Sequence, residues 1–179
     1  VMTLNHLSNI DLEYFLDRKQ VKFSSNFKEC NKCDAVIICV PTPLDKYQQP
    51  DLGPIKSVIN SLIPHLASNQ VISLESTTYP GTCADEIVLP IENAGYKVGL
   101  DIHVVYSPER EDPGNKKFDC QNTPKVIGGY TSKCLKKGIE LYSLVIDQPV
   151  PVSSCEVAEF TKLYENIYRS VNIALANEM

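Results

Sequence analysis

Four short β-branched runs, each leading into a polar loop, constrain this chain more than any other feature of it. DAVIICV (34–40), VISLE (71–75), HVVYS (103–107) and KVIGG (125–129) are too short for helices and too apolar for surface loops. Between them lie stretches with apolar residues at helical spacing. PIKSVINSLIPHL carries proline at its start, from Pro54. Residues 84–94 read as a helix with a kink near Pro90, closed by Gly95. TSKCLKKGIELYSLV opens on Thr131, which suits an N-cap. Strands alternating with helices of this length imply βαβ units and a largely parallel sheet, hence an α/β fold. PVPVSSCEVAEF reads as a separator between this region and a last helix, which Ser153 or Ser154 would cap.

Composition narrows the function classes. The 179 residues carry a net charge of −5, and no basic run supplies the footprint a nucleic-acid partner needs. No apolar run reaches the ~18 residues of a membrane span, and no signal peptide opens the chain, so a cytoplasmic protein is expected. Seven cysteines form no disulfide framework; those inside apolar runs, such as Cys39, read as small hydrophobes. Cys30 and Cys33 have the spacing of half a zinc site, but no second CxxC or histidine pair answers them, and no metal is expected.

The last helix is unusual. At about 100° per residue, Phe160, Leu163, Tyr164, Ile167, Val171, Ala174 and Leu175 share one apolar face. Glu159, Lys162, Asn166, Arg169 and Asn177 share the other. Spacing alone fits a solvated face with pairs such as Glu159 to Lys162. Against that, Lys162 and Asn166 lie four apart and suit an ammonium and an amide directed at one oxygen, equipment for stabilising an oxyanion or polarising an alcohol.

Open α/β sheets bind ligands beyond the carboxyl ends of their strands, and three loops here occupy such positions. VPTP (40–43) has a backbone fixed by proline and a free Thr42 hydroxyl. ESTTYPGT (75–82) gathers hydroxyls around one carboxylate, a lining suited to ribose or ordered water. YSPEREDPGN (106–115) packs Glu109, Arg110, Glu111 and Asp112 together. Each also fits an ordinary polar turn. Together with the Lys/Asn helix they compose one site more economically than four coincidences.

CVPTPL, ESTTYPGT, YSPEREDPGN, PKVIGG and AEFTKLYENIYRSVNIALANE, in this order, resemble the nucleotide-sugar 6-dehydrogenases, the UDP-glucose dehydrogenase family. The resemblance runs from about residue 34 to the end. It implies a Rossmann-like domain with flanking helices, followed by the start of a long central helix. SPEREDPGN is closer to the branch that oxidises UDP-N-acetylhexosamines, particularly UDP-N-acetylglucosamine, than to the UDP-glucose form. The family converts the sugar C6 alcohol to a carboxylate with two NAD molecules, through a cysteine-bound intermediate, in making sugars for polysaccharides such as O-antigen.

Carried over by motif, Val40, Pro41, Thr42, Thr77, Thr78 and Tyr79 would border NAD, with Thr78 positioning a water. Glu109 would transfer protons or assist thioester hydrolysis. Lys162 would steady the oxyanion with Asn166 as partner. Arg110, Arg169 and Asn172 would join Glu109, Lys162 and Asn166 in facing the nucleotide-sugar, and a homodimer through the central helix is implied.

Two departures accompany the resemblance. No G-x-G-x-x-G turn occurs, and no cysteine has the context of the family nucleophile. The expectation is therefore an internal piece, with residues 1–152 a partial NAD-binding domain and 153–179 the start of the central helix, incomplete by itself as a catalyst. A UDP-glucose 6-dehydrogenase, a non-catalytic nucleotide-sugar binding module and a hydroxyacid dehydrogenase of the 6-phosphogluconate type are the alternatives.

Overall fold

The computed structural model describes residue 18, residues 21–110 and residues 121–179. Among these residues five strands, β1 (Ala35–Ile38), β2 (Gln70–Leu74), β3 (Ile102–Tyr106), β4 (Lys125–Gly129) and β5 (Pro149–Val152), form one sheet in that order. β1, β2 and β3 are mutually parallel, as are β4 and β5. The Rossmann-like, mostly parallel α/β reading holds, with two corrections.

β3 and β4 run antiparallel, Val105 opposite Gly129 and Tyr106 opposite Gly128. A parallel neighbour requires a crossover back to the other edge of the sheet. β4 instead starts beside the end of β3, which brings Lys125 to the carboxyl edge. The second correction is β5 itself, which lies inside the stretch expected to be a separator. Pro149 and Pro151 mask it in the sequence, yet it pairs on one side only, with β4, and an edge strand tolerates residues that lack an N–H.

Among the described residues, four helices flank the sheet. α1 (Gly53–Leu62) has proline in its first turn and ends in a 3-10 turn (Ile63–His65). The expected kinked helix is a π-helical segment (Cys83–Val88) running into α2 (Leu89–Asn93). Widening the turn ahead of Pro90 relieves the clash its ring makes with the preceding turn. Gly95, at φ +97°, then closes the element. α3 (Ser132–Tyr142) is capped by the Thr131 hydroxyl, and α4 (Cys155–Glu178) by Ser154 rather than Ser153.

The glycine pair of KVIGG explains how α3 and α4 fit. Successive strand residues face opposite sides. A Cβ on Gly129 would strike Leu135 of α3, whereas one on Gly128 would strike Ser154 and Ala158 at the start of α4. The two helices therefore pack on opposite faces of β4. Gly138 continues the α3 contact, its Cβ position 2.7 Å from Val105. On the face shared with α4, Ile72, Leu74 and Val104 join Ile55, Ile59, Ile87 and Ile91 in a fully buried core. Each such side chain contributes about 1.5–3 kcal/mol on burial.

α4 presents the first part of its polar stripe inward. Cys155, Ala158 and Glu159 are buried and Lys162 and Asn166 half-buried, while Phe160, Tyr164, Ile167 and Val171 are exposed and everything from 167 onward stands clear of the sheet. The solvated-face reading thus fails for Glu159 and Lys162, which meet the domain, and holds for Arg169 and Asn177, which are exposed. Burial of Cys155 and Ala158 seats the start of this helix, and the bonds made by Glu159 and Lys162 fix the side it turns inward.

Candidate active site

β1, β2 and β3 end side by side, and their loops form one rim. The Val40 N–H donates to Ser76 Oγ at 2.9 Å, joining the first loop to the second. Tyr106 donates to the Ser76 carbonyl at 3.2 Å, joining the second to the third strand. Thr42 is half-buried in this rim, and Pro41, Thr77 and Tyr79 are exposed along it. Thr78 is buried, and its hydroxyl bonds to that of Thr82, which in turn donates to the Tyr79 carbonyl at 2.7 Å. That hydroxyl stabilises the loop from within.

Glu159 is the residue the sequence reading misplaced. It was paired with Lys162 on an outer face; instead it is fully buried. One carboxylate oxygen accepts from the Gly81 N–H at 2.7 Å and the other from the Cys83 N–H at 2.8 Å. Burial raises its proton affinity, and the two amide bonds oppose that shift. Gly81 has φ +98°, a left-handed conformation that turns its N–H toward the carboxylate. Glu159 so anchors the Thr78 loop to α4 one turn before Lys162.

Lys162 reaches the third loop. Its Nζ donates to the Glu109 carbonyl at 2.6 Å. Burial holds this ammonium below the ordinary lysine value, with the Glu165 and Glu109 charges acting the other way. The Glu109 carboxylate is folded toward its own loop: Oε1 accepts from the Arg110 N–H at 2.6 Å, and Oε2 lies 3.7 Å from Lys125 Nζ. Arg110 pairs with Glu165 of α4 at 2.6 Å. Asn166 accepts from Arg169 at 3.5 Å, so its amide oxygen is engaged along the helix. Glu111, Asp112 and the rest of that loop to Asn115 lie outside the described residues.

A groove of about 570 Å³ beside α4 brings Arg110, Arg169 and Asn172 together with Tyr164, Glu165 and Tyr168. Arg169, the Asn172 amide and two aromatic rings suit an anionic, ring-bearing ligand, while Arg110 is paired with Glu165 in the same groove. The structure therefore divides the predicted residues in two: Thr42, Thr77, Tyr79 and Val40 on the strand-end rim, and Arg110, Arg169 and Asn172 in the groove. Lys162 and Glu109 meet between them.

Sequence reasoning also missed a polar cluster under the rim. Lys125 Nζ lies 3.3 Å from Glu75 Oε1 and is nearly buried, as is Glu75. Tyr142 donates to the same oxygen at 2.6 Å and shares a 2.7 Å hydrogen bond with Ser73. Cys39, read as an interior hydrophobe, lies past the end of β1 with Sγ 3.8 Å from Glu75 Oε2; burial and that carboxylate push its thiol up to about 11. The only sequence signal was a lysine opening an apolar strand.

Residues 7–146 match the model of the UDP-glucose/GDP-mannose dehydrogenase family, NAD binding domain. Protein CapL of Staphylococcus aureus is 38% identical over 180 residues, covering 99% of this chain and 40% of its own length. The UDP-N-acetyl-D-glucosamine 6-dehydrogenase of Salmonella typhi is 36% identical, covering 93% of this chain and 40% of its own. Among solved structures, a UDP-D-ManNAc dehydrogenase from Pyrococcus horikoshii superposes with a TM-score of 0.88 at 29% identity, over 97% of this chain and 42% of that one. The chain spans about two fifths of the length of these relatives. It belongs to the UDP-glucose/GDP-mannose dehydrogenase family, whose NAD-binding domain occupies most of its length.

Proposed function

We propose that this chain serves the NAD-dependent oxidation of the C6 alcohol of a UDP-N-acetylhexosamine, UDP-N-acetylglucosamine or an epimer of it, to the uronate used in polysaccharide synthesis. The observation that carries the reading is the meeting of Lys162 with the Glu109 loop at the carboxyl edge of the sheet, beside a groove holding two arginines. The balanced reaction takes RCH2OH, two NAD+ and one water to RCOO−, two NADH and three H+.

NAD, when bound, accepts the hydride. The rim fits its ribose and nicotinamide side, since Thr42, Thr77 and Tyr79 offer hydroxyls there beside the carbon-lined turns of Val40 and Pro41. Thr78 holds that rim in shape. Lys162, partly desolvated, steadies as an ammonium the oxygen that becomes anionic as the alcohol is oxidised, with Asn166 as its neighbour one turn on. Glu109 takes or returns the proton. Arg110, Arg169 and Asn172 bind the diphosphate or sugar in the groove, where bidentate guanidinium groups suit phosphate oxygens.

Residues 1–152 form part of the NAD-binding unit, and 153–179 the start of the helix that joins it to the substrate. The exposed face of α4 is the surface of a homodimer, and the cytoplasm, where both substrates are made, is the compartment. Incubating the native polypeptide that carries this sequence with NAD and UDP-N-acetylglucosamine tests the reading. Two NADH per sugar consumed are expected; no NADH with any UDP-N-acetylhexosamine would contradict it.

A further inference from the structure

The cluster under the rim has no part in the reading above, and it contains a nearly buried ammonium. The Lys125 side chain is 7% exposed and sits against Glu75, 12% exposed. Burying such a pair costs several kcal/mol per ion, and an apolar side chain of equal volume stabilises a core at least as well. Fold stability alone therefore gives little reason for a cation here. Its contacts supply another.

Lys125 Nζ touches two loops at once. Toward β2 it meets Glu75, the residue that opens the Thr78 loop, 3.3 Å from Oε1. Toward β3 it donates to the Pro108 carbonyl at 3.4 Å and lies 3.7 Å from Glu109 Oε2. Tyr142 fixes it from below, with Nζ 5.3 Å over the ring and the hydroxyl donating to Glu75. Ser107 adds a 2.9 Å bond to the Val126 carbonyl, which ties down the loop's entry, and the 50%-exposed Glu109 side chain has the Lys125 ammonium beside it.

We propose that Lys125 is a positioning residue: held by Glu75 and Tyr142, it sets the Glu109 carboxylate and couples the Glu109 loop to the Thr78 loop. This rests on the dehydrogenase reading for Glu109's role, but not for its geometry. Lys162 grips the same loop from the other side through the Glu109 carbonyl, so the backbone is held between two ammonium groups, with Lys125 beside the carboxylate.

The decisive variants are K125M, K125R and the pair K125M/E75Q, made in the native polypeptide. K125M leaves Glu75 buried without its cation and lowers stability whatever Lys125 does; the paired variant removes both charges and restores stability. The expected result is that K125M/E75Q regains the wild-type Tm yet keeps a kcat lowered about ten- to a hundredfold, the range for a displaced reacting group, with KM for NAD unchanged. K125R recovers part of that kcat. Wild-type kcat in K125M/E75Q would overturn the proposal, because Lys125 would then only neutralise Glu75. A crystal structure of the paired variant reads the geometry without any assay. A displaced Glu109 carboxylate is expected, and one left in place would overturn the proposal even if the dehydrogenase reading itself failed.

Discussion

Glu159 shows how much one buried carboxylate can organise. Its two oxygens satisfy two backbone N–H groups at the start of the π-helical segment, and no apolar substitute could do so. Gln at this position turns an N–H2 toward one of those donors and leaves it unpaired. E159Q is expected to lose about 1–3 kcal/mol of unfolding free energy, the cost of one buried unsatisfied group, and E159A more. Chemical denaturation measures this, and wild-type stability in E159Q would show the two bonds to be dispensable. Lys162 gives a pH prediction. Its ammonium is held below the ordinary lysine value of 10.5 by burial, so it releases its proton earlier as pH rises. Between the lowered value and 10.5 the unfolded chain binds more protons than the folded one, and stability rises with pH. Activity should move the opposite way: kcat falls as the cation is lost, starting below pH 10.5, and the residual rate of K162R shows no such fall. The same alkaline limb in both proteins would remove Lys162 as its source.

At the scale of elements, the strands were legible because β-branched runs of four or five residues between turns have few alternatives. KVIGG was legible to the residue, and Thr131 declared its helix by its cap. β5 was hidden by prolines that only an edge position tolerates. The inward side of α4 was hidden for a deeper reason. Amphipathic periodicity places apolar residues toward a core, yet here the domain offers α4 two N–H groups and a carbonyl, and polar side chains answer them. The motif resemblance, not the periodicity, pointed the stripe toward a site. The outward face carries Phe160, Ile167 and Val171 at 53%, 58% and 60% exposure, in line along one side. Such a stripe is costly in water unless covered. Sedimentation equilibrium is expected to give a dimer for the native polypeptide and a monomer for I167E. A wild-type monomer, or a dimer indifferent to I167E, would contradict burial of this face between copies.

For the whole molecule, the arrangement is a rim of hydroxyl-bearing loops on one side, a cationic groove on the other, and Lys162 between them. The rim residues were nameable from sequence because strand ends in α/β sheets fix where loops gather. The cluster of Lys125, Glu75 and Tyr142 was not, because it joins residues up to 67 positions apart through antiparallel entry of β4 that periodicity cannot show. The measurement that bears most directly on the central claim is steady-state turnover of UDP-N-acetylglucosamine with NAD by the native polypeptide and its K162M variant. Removing a transition-state cation should cost about a hundred- to a thousandfold in kcat, with KM for NAD within about twofold of wild type. Turnover preserved in K162M, or kcat and NAD affinity lost in equal measure, would show that Lys162 merely supports the fold.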